Sequence, residues 1–114
     1  LSVASDAFTQ DLCILARHIP NVSLTAYWWH TLYPHVIRKS LELRLDAVPA
    51  NKITAYFSDA YHAEWCYPKL RMVKEILRDI LVQRTECGWY DTETAVGIVD
   101  QIFNQTPRDV YGIE

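Results

Sequence analysis

The sequence predicts an α/β fold, in which helices alternate with short strands that pair in parallel. Two short runs, residues 22–27 and 53–57, are rich in β-branched and aromatic side chains, which is typical of strands. A helix-length connection separates them, and strands joined in this way pair in parallel through a right-handed crossover. Four further segments carry the apolar spacing of amphipathic helices. The predicted order is helix, strand, helix, strand, helix, helix.

The first two helices flank the first strand. Residues 6–17 form a helix that begins near Asp6 or Thr9 and ends at Pro20, where the first strand follows. Pro34 is suited to the first turn of the second helix, residues 35–47, and Pro49 ends it. The second strand, residues 53–57, comes next.

The last two helices are the longest predicted elements. Residues 67–85 repeat apolar side chains at i, i+3 and i+4 spacing. Gly88 can adopt the left-handed conformation that ends a helix. Asp91 is a favourable N-cap for a final helix. Its expected buried positions are Val96, Val99, Ile102 and Phe103. A terminal turn begins at Thr106-Pro107.

Composition excludes several classes of protein. At 114 residues the chain is one domain at most, and a net charge of −3 with both signs interspersed argues against nucleic-acid binding. Neither a membrane-spanning run nor a signal peptide is visible, so no membrane partner is expected. Cys13, Cys66 and Cys87 have no zinc-site spacing. We expect reduced thiols and a cytoplasmic location.

Two strands are too few for a buried parallel sheet, which needs several neighbours and helices on both faces. We therefore expect residues 1–114 to be a single partial domain, the C-terminal portion of a (β/α)8 TIM barrel. It would contain the last two strand–helix units plus the C-terminal helices. Because a full barrel takes about 250 residues, the remainder of the barrel, in the same or another chain, is an expected partner.

Asp59 is the strongest candidate for chemistry. It follows the second predicted strand and precedes a helix, where α/β enzymes place metal ligands and general bases. The alternative is that Asp59 only caps the next helix, since Asp is a preferred N-cap. Both interpretations stay open on spacing alone.

A family resemblance supports the catalytic interpretation. Residues 20–24, 27–29, 48–53 and 58–64 (PNVSL, YWW, VPANKI and SDAYHAE) resemble the C-terminal part of amidohydrolase-superfamily enzymes. The nearest branch is the uronate (glucuronate) isomerases and their uncharacterised relatives. The ending TPRDVYG, residues 106–112, is similar to the closing NAxRLYG of that superfamily but departs from it at Thr106 and Asp109.

The resemblance implies roles for particular residues. The aspartate at the position of Asp59 contacts a divalent metal, zinc or alternatively manganese, and moves a proton. The remaining metal ligands lie outside this chain. The residues at Trp28 and Trp29 line the substrate pocket in the isomerase branch, although core packing is an open alternative for one of the two. His30 is a further candidate for the same pocket.

The position two residues after the aspartate separates the possible reactions. The isomerases carry an arginine there, suited to a sugar-acid carboxylate; this chain has Tyr61, followed by His62, which we also assign to the substrate pocket. We therefore expect a metal-dependent hydrolase acting on a small polar substrate, with aldose–ketose isomerisation of a uronate as the alternative. A third hypothesis is a non-catalytic helical interaction module that oligomerises. A homo-oligomer is expected in either class.

Overall fold

Local sequence signals set the ends of the helices, which make up most of the structure. The computed structural model describes residues 2–3, 6–27 and 33–114. Its α-helices are α1 Thr9–His18, α2 Pro34–Ala47, α3 Cys66–Glu86, α4 Thr92–Asp100 and α5 Thr106–Tyr111. Short 3-10 turns cover Asp6–Phe8, Ala50–Lys52 and Ala63–Trp65, and a π-helical turn, Gln101–Gln105, joins α4 to α5. Strands β1 Ser2–Val3 and β2 Thr25–Tyr27 pair in parallel.

The four predicted helices are confirmed, and the residues at their ends act as expected. Pro34 occupies the first position of α2, and the Asp91 carboxylate accepts a hydrogen bond from the Thr94 amide at 2.7 Å at the start of α4. Gly88 has a φ of +75°, the left-handed conformation that turns the chain after α3. The predicted terminal turn is a short helix, α5.

The predicted fold class is wrong. We expected an α/β portion of a TIM barrel, but the structure is mostly helical, and its described residues contain no sheet beyond the β1–β2 pair. The failure lies in the second predicted strand, residues 53–57. Ile53 makes one parallel bridge to Leu24, and the residues that follow it as far as Phe57 are not strand. The predicted strand–helix units therefore do not form.

The backbone of this segment finds its hydrogen-bond partners in a loop and a helix. The backbone amide of Leu24 donates to the carbonyl of residue 52, and its carbonyl accepts from the amide of residue 54, both at 2.8 Å. The Ala55 amide donates to the Ile102 carbonyl at 3.0 Å. Ile102 lies in the π-helical turn, so this turn occupies the position at which a further strand would have to pair with the segment. Ile53 and Ala55 are fully buried. The apolar run thus enters the core without extending a sheet.

The core lies mainly between α2 and α3. Ile37 and Leu41 of α2 are fully buried, as is Val73 of α3. The predicted apolar face of α3 is confirmed, because Leu77, Ile80 and Leu81 are buried on the same side. Burial of this kind contributes roughly 1.5–3 kcal/mol for each large apolar side chain.

Helix α4 departs from its predicted packing. Ile102, beyond its end, is fully buried as expected, but Val96 is 64% exposed and Val99 is 38% exposed. The helix contacts the core through the half-buried Ala95 and Ile98. Two of the expected core positions therefore lie at the surface.

Lys52 stabilises the end of α1 across the fold. Its ammonium group donates to the carbonyl oxygens of Ala16 at 2.6 Å and Ile19 at 2.8 Å. These carbonyls lie at the C-terminal end of α1, where the helix dipole favours a positive charge. One side chain thus connects α1 to the segment that leads to Asp59.

Arg84 joins α2, α3 and the turn before α4. Its Nη2 atom donates to the Glu42 carbonyl at 3.1 Å and lies 2.8 Å from the Asp46 carboxylate. Its Nη1 atom donates to the Tyr90 hydroxyl at 2.9 Å, and the guanidinium lies 5.3 Å from the Trp89 ring centroid. A buried guanidinium needs several partners of this kind to offset the loss of water.

Replacing Arg84 by Met should lower the free energy of unfolding by about 2 kcal/mol, because the Asp46 carboxylate and the Glu42 carbonyl lose a buried donor. Chemical denaturation measures this. Arg71→Met is the matched control, since Arg71 is an exposed residue of the same helix and its guanidinium forms an exposed ion pair with Glu75 in the i,i+4 arrangement. Equal losses in the two variants would contradict the assigned role of Arg84.

The Asp91 cap should make stability depend on pH. The Thr94 amide and hydroxyl hold the pKa of Asp91 below its ordinary value. A carboxylate with a lowered pKa stabilises the fold above its unfolded pKa, about 3.9, and this contribution is lost as the pH falls through the folded value.

We therefore expect the Tm of the wild type, relative to that of Asp91→Asn, to fall between pH 6 and pH 2. The reason is that Asn caps a helix without titrating. Thermal unfolding followed by circular dichroism measures the two Tm values. A difference that stays constant over this range would show that the Asp91 charge contributes nothing.

Candidate functional site around Asp59

Asp59 lies in the loop between the buried segment at residues 53–55 and the short helical turn Ala63–Trp65. Its φ of +43° makes it the one non-glycine residue with a positive φ among those that the structure describes. Such a conformation costs of order 1 kcal/mol, although Asp tolerates it better than most residues. The backbone at Asp59 is therefore strained where the sequence predicts the site.

The carboxylate of Asp59 contains a buried oxygen that has no partner. Its Oδ2 atom is inaccessible to solvent and accepts no hydrogen bond from any described residue. A buried polar atom of this kind costs roughly 1–3 kcal/mol and calls for an explanation such as a bound ion or water. This atom is therefore a side-chain oxygen of the loop that the described residues leave unsatisfied.

The capping alternative for Asp59 is wrong. His62 is the N-cap of the 3-10 turn Ala63–Trp65, and Trp65 is the N-cap of α3, and neither position carries a side-chain capping bond. Asp59 therefore does not serve the helices that follow it. The strand that should have ended before Asp59 is also absent, so the residue is positioned by other contacts.

Lys69 provides those contacts. From the first turns of α3, its Nζ atom donates to the carbonyl oxygens of Ser58 at 3.0 Å and Asp59 at 3.3 Å. The Tyr56 hydroxyl donates to the Cys66 carbonyl at 2.8 Å, which fixes the other side of the loop to the start of α3. Burial raises the pKa of Tyr56, so the hydroxyl remains a donor. The loop is thus held on both sides by α3.

Aromatic side chains surround the start of α3. The His62 and Trp65 rings meet edge to face at 5.1 Å between centroids, and Tyr61 meets Trp65 in the same way at 6.5 Å. Lys69 lies 5.6 Å from the Trp65 centroid. Tyr61 is 81% exposed, so its ring contacts Trp65 at the surface. The structure therefore brings the predicted residues Tyr61 and His62 together in the loop that holds Asp59.

Sequence reasoning missed Lys69 and Trp65. Trp65 is the N-cap of α3, and Lys69 lies four residues further on in its first turn. That spacing, together with the preceding loop, is the signal that was available. Trp28, Trp29 and His30, which we also predicted to line the pocket, lie outside the described residues.

Metal coordination would need ligands beyond Asp59. Across residues 2–3, 6–27 and 33–114, no three His, Cys, Asp or Glu side chains are grouped closely enough to hold an ion. Asp59 offers carboxylate oxygens, the ligand type that hard divalent ions prefer, and its Oδ2 atom accepts no hydrogen bond from a described residue. Catalytic zinc sites use about three protein ligands, so the described part of this chain fits a contributor and not a complete site.

The comparisons with known proteins leave the family open. No protein-family model matches the chain, and no curated protein matches it significantly. The resemblance to the amidohydrolase superfamily therefore stays a prediction. In the part of the chain that the structure describes, no helix has the length and apolar character needed to cross a membrane.

Replacing Asp59 by Gly should raise the free energy of unfolding by about 1 kcal/mol, because Gly adopts a positive φ freely and removes the buried oxygen. Asp59→Ala is the matched variant, since it removes the carboxylate but keeps the strained backbone. We expect a smaller gain for Ala than for Gly. Denaturant unfolding measures both, and a loss of stability in Asp59→Gly would mean that the carboxylate is stabilising in the folded chain.

Proposed function

We propose that this chain contributes Asp59 to the divalent-metal site of a hydrolase that acts on a small polar substrate. The observation that carries the proposal is the buried Oδ2 atom, which has no partner among the described residues, on a strained backbone. Strain and missing partners concentrate at functional sites, because binding or catalysis needs a group that the fold itself leaves unsatisfied. Because the fold is mostly helical, the proposal does not include a TIM barrel. The relationship to the amidohydrolase superfamily stays an expectation that rests on the resemblance.

Each residue of the loop has a part in the proposed chemistry. A bound zinc or manganese ion would supply a Lewis acid that polarises the substrate. Asp59 would bind the ion through one oxygen and accept or return a proton at the other. Lys69, which holds the Ser58 and Asp59 carbonyls, would keep this carboxylate in position. His62 would donate to a substrate oxygen, while Tyr61 would cover the substrate.

The proposal predicts where a divalent ion binds this chain. Manganese titrated into the 15N-labelled chain should broaden the amide signals nearest Asp59 at a lower concentration than those near other carboxylates. We expect dissociation constants in the millimolar range, without stoichiometric zinc or manganese after purification, because one carboxylate holds an ion weakly. Nuclear magnetic resonance measures the broadening residue by residue.

Asp59→Asn should abolish this local broadening and leave the circular dichroism spectrum unchanged. Glu75→Gln, an exposed carboxylate of α3 paired with Arg71, is the control that should leave the broadening near Asp59 intact. Broadening centred elsewhere, or unchanged in Asp59→Asn, would contradict the metal role. In an assembly that supplies the other ligands, Asp59→Asn should lower kcat for hydrolysis by at least about a hundredfold.

A second candidate function is a non-catalytic helical module that oligomerises. The mostly helical architecture favours it, as do the exposed valines of α4, which belong to a continuous apolar surface with α3. Asp59→Asn would leave association unchanged in such a module. For uronate isomerisation no described residue offers comparable support, because Tyr61 stands where an arginine would hold the substrate.

A further inference from the structure

An apolar groove runs between α3 and α4, away from the Asp59 loop. Its volume is about 660 Å³, and Leu77, Leu81 and Phe103 are part of its wall. Val82 of α3 and Val96 of α4 also line it and are 49% and 64% exposed. Helix α4 has no fully buried residue although it is rich in apolar side chains. An exposed apolar surface between two helices is typical of a binding interface.

The charges along the groove have a defined order. Lys74, Arg78, Val82 and Glu86 follow one another at four-residue spacing on α3, all four are exposed, and all four line the groove. This stripe therefore reads basic, basic, apolar, acidic along one side of the helix. Arg78 and Glu86 are equally far from Val82, about 6 Å along the helix axis in each direction.

We propose that the groove binds a second copy of this chain in an antiparallel, isologous dimer whose two-fold axis passes near Val82. In that arrangement Arg78 of each copy faces Glu86 of the other, and the two Val82 side chains meet at the axis. A parallel arrangement would instead place Arg78 against Arg78. Arg78 and Glu86 exchange places in the antiparallel image about Val82, and this self-complementary pair is the reason to assign a second copy and not an unrelated helix.

The existing ion pair of Arg78 is weak enough to rearrange. The Arg78 Nε and Nη2 atoms bond the neighbouring Asp79 carboxylate at 3.1 and 2.8 Å, in an exposed pair. Exposed ion pairs contribute little to folding, so Glu86 of the second copy can compete for the guanidinium. The valines of α3 and α4 would supply the apolar centre of the interface and the charges its orientation.

Charge-reversal variants of this chain at Arg78 and Glu86 test the proposed dimer. The wild type should sediment near 13.3 kDa when dilute and approach twice this mass when concentrated. Arg78→Glu places Glu against Glu at both symmetric positions, and Glu86→Arg places Arg against Arg. Each single variant should raise the dimer dissociation constant at least about tenfold, because every change counts twice across a two-fold axis.

Mixing the two single variants should restore association, since the mixed dimer again pairs Glu with Arg at both positions. The double variant Arg78→Glu/Glu86→Arg should also dimerise. Arg71→Glu is the matched control: it makes the same charge change on α3 outside the groove and should leave the dissociation constant unchanged. Sedimentation equilibrium measures all of these.

A wild type that stays monomeric at millimolar concentration would overturn the proposal and leave the groove to a different occupant. A dimer that is indifferent to the single changes, or a mixture that fails to restore association, would overturn it as well. This inference specifies a surface for the second candidate function and does not rest on Asp59. Manganese broadening at Asp59 and sedimentation of the groove variants therefore fail or succeed separately.

Discussion

The Arg84 guanidinium lies where α2, α3 and the turn before α4 meet, and the positions of these elements depend on it. It contacts the Asp46 carboxylate and the Glu42 carbonyl of α2 and the Tyr90 hydroxyl beyond α3. Asp46 is half exposed, so the ion pair itself is screened, and the hydrogen bonds to less exposed partners carry more of the stabilisation. Arg84 also holds Tyr90, the residue before Asp91, whose carboxylate caps α4.

A second set of long-range contacts leads from the core to the Asp59 loop. Lys52 binds the end of α1, the Ala55 amide binds the π-helical turn, and Lys69 binds the loop itself. The Thr106 hydroxyl adds to this set, because it donates to the Ala50 carbonyl and accepts from the Gln101 side chain, both at 3.1 Å. The strained conformation at Asp59 persists because the segments on both sides of it are fixed in this way.

The sequence predicts the helices well because their signals are local. Pro34, Gly88 and Asp91 each act within a few residues, and the apolar face of α3 follows from its own spacing. The second strand fails for the opposite reason: β-propensity depends on neighbouring strands, and residues 53–57 meet a π-helical turn instead. Periodicity also misplaces the α4 valines, since an apolar side of a helix can face a core or a partner.

The candidate site is predictable only in part. Asp59, Tyr61 and His62 share one short segment, so one motif identifies them together. Lys52 is 36 residues from its Ala16 acceptor, and Arg84 is 42 residues from Glu42. No local sequence pattern predicts pairs at such separations. The burial of the Asp59 Oδ2 atom away from any partner in the described residues is likewise a property of the packed structure, because only packing removes its water.

Both proposals involve helix α3, but they use residues that lie far apart along it. Lys69, which holds the Asp59 loop, and Val82, at the proposed two-fold axis, are thirteen residues apart on one helix. In an antiparallel dimer about Val82, the two Lys69 side chains would stand about 39 Å apart along the axis. A ligand set within bonding distance of an ion cannot be shared across that span. In such a dimer the two Asp59 loops therefore do not share one ion, and the proposed dimer and the proposed metal site are separate features of the chain.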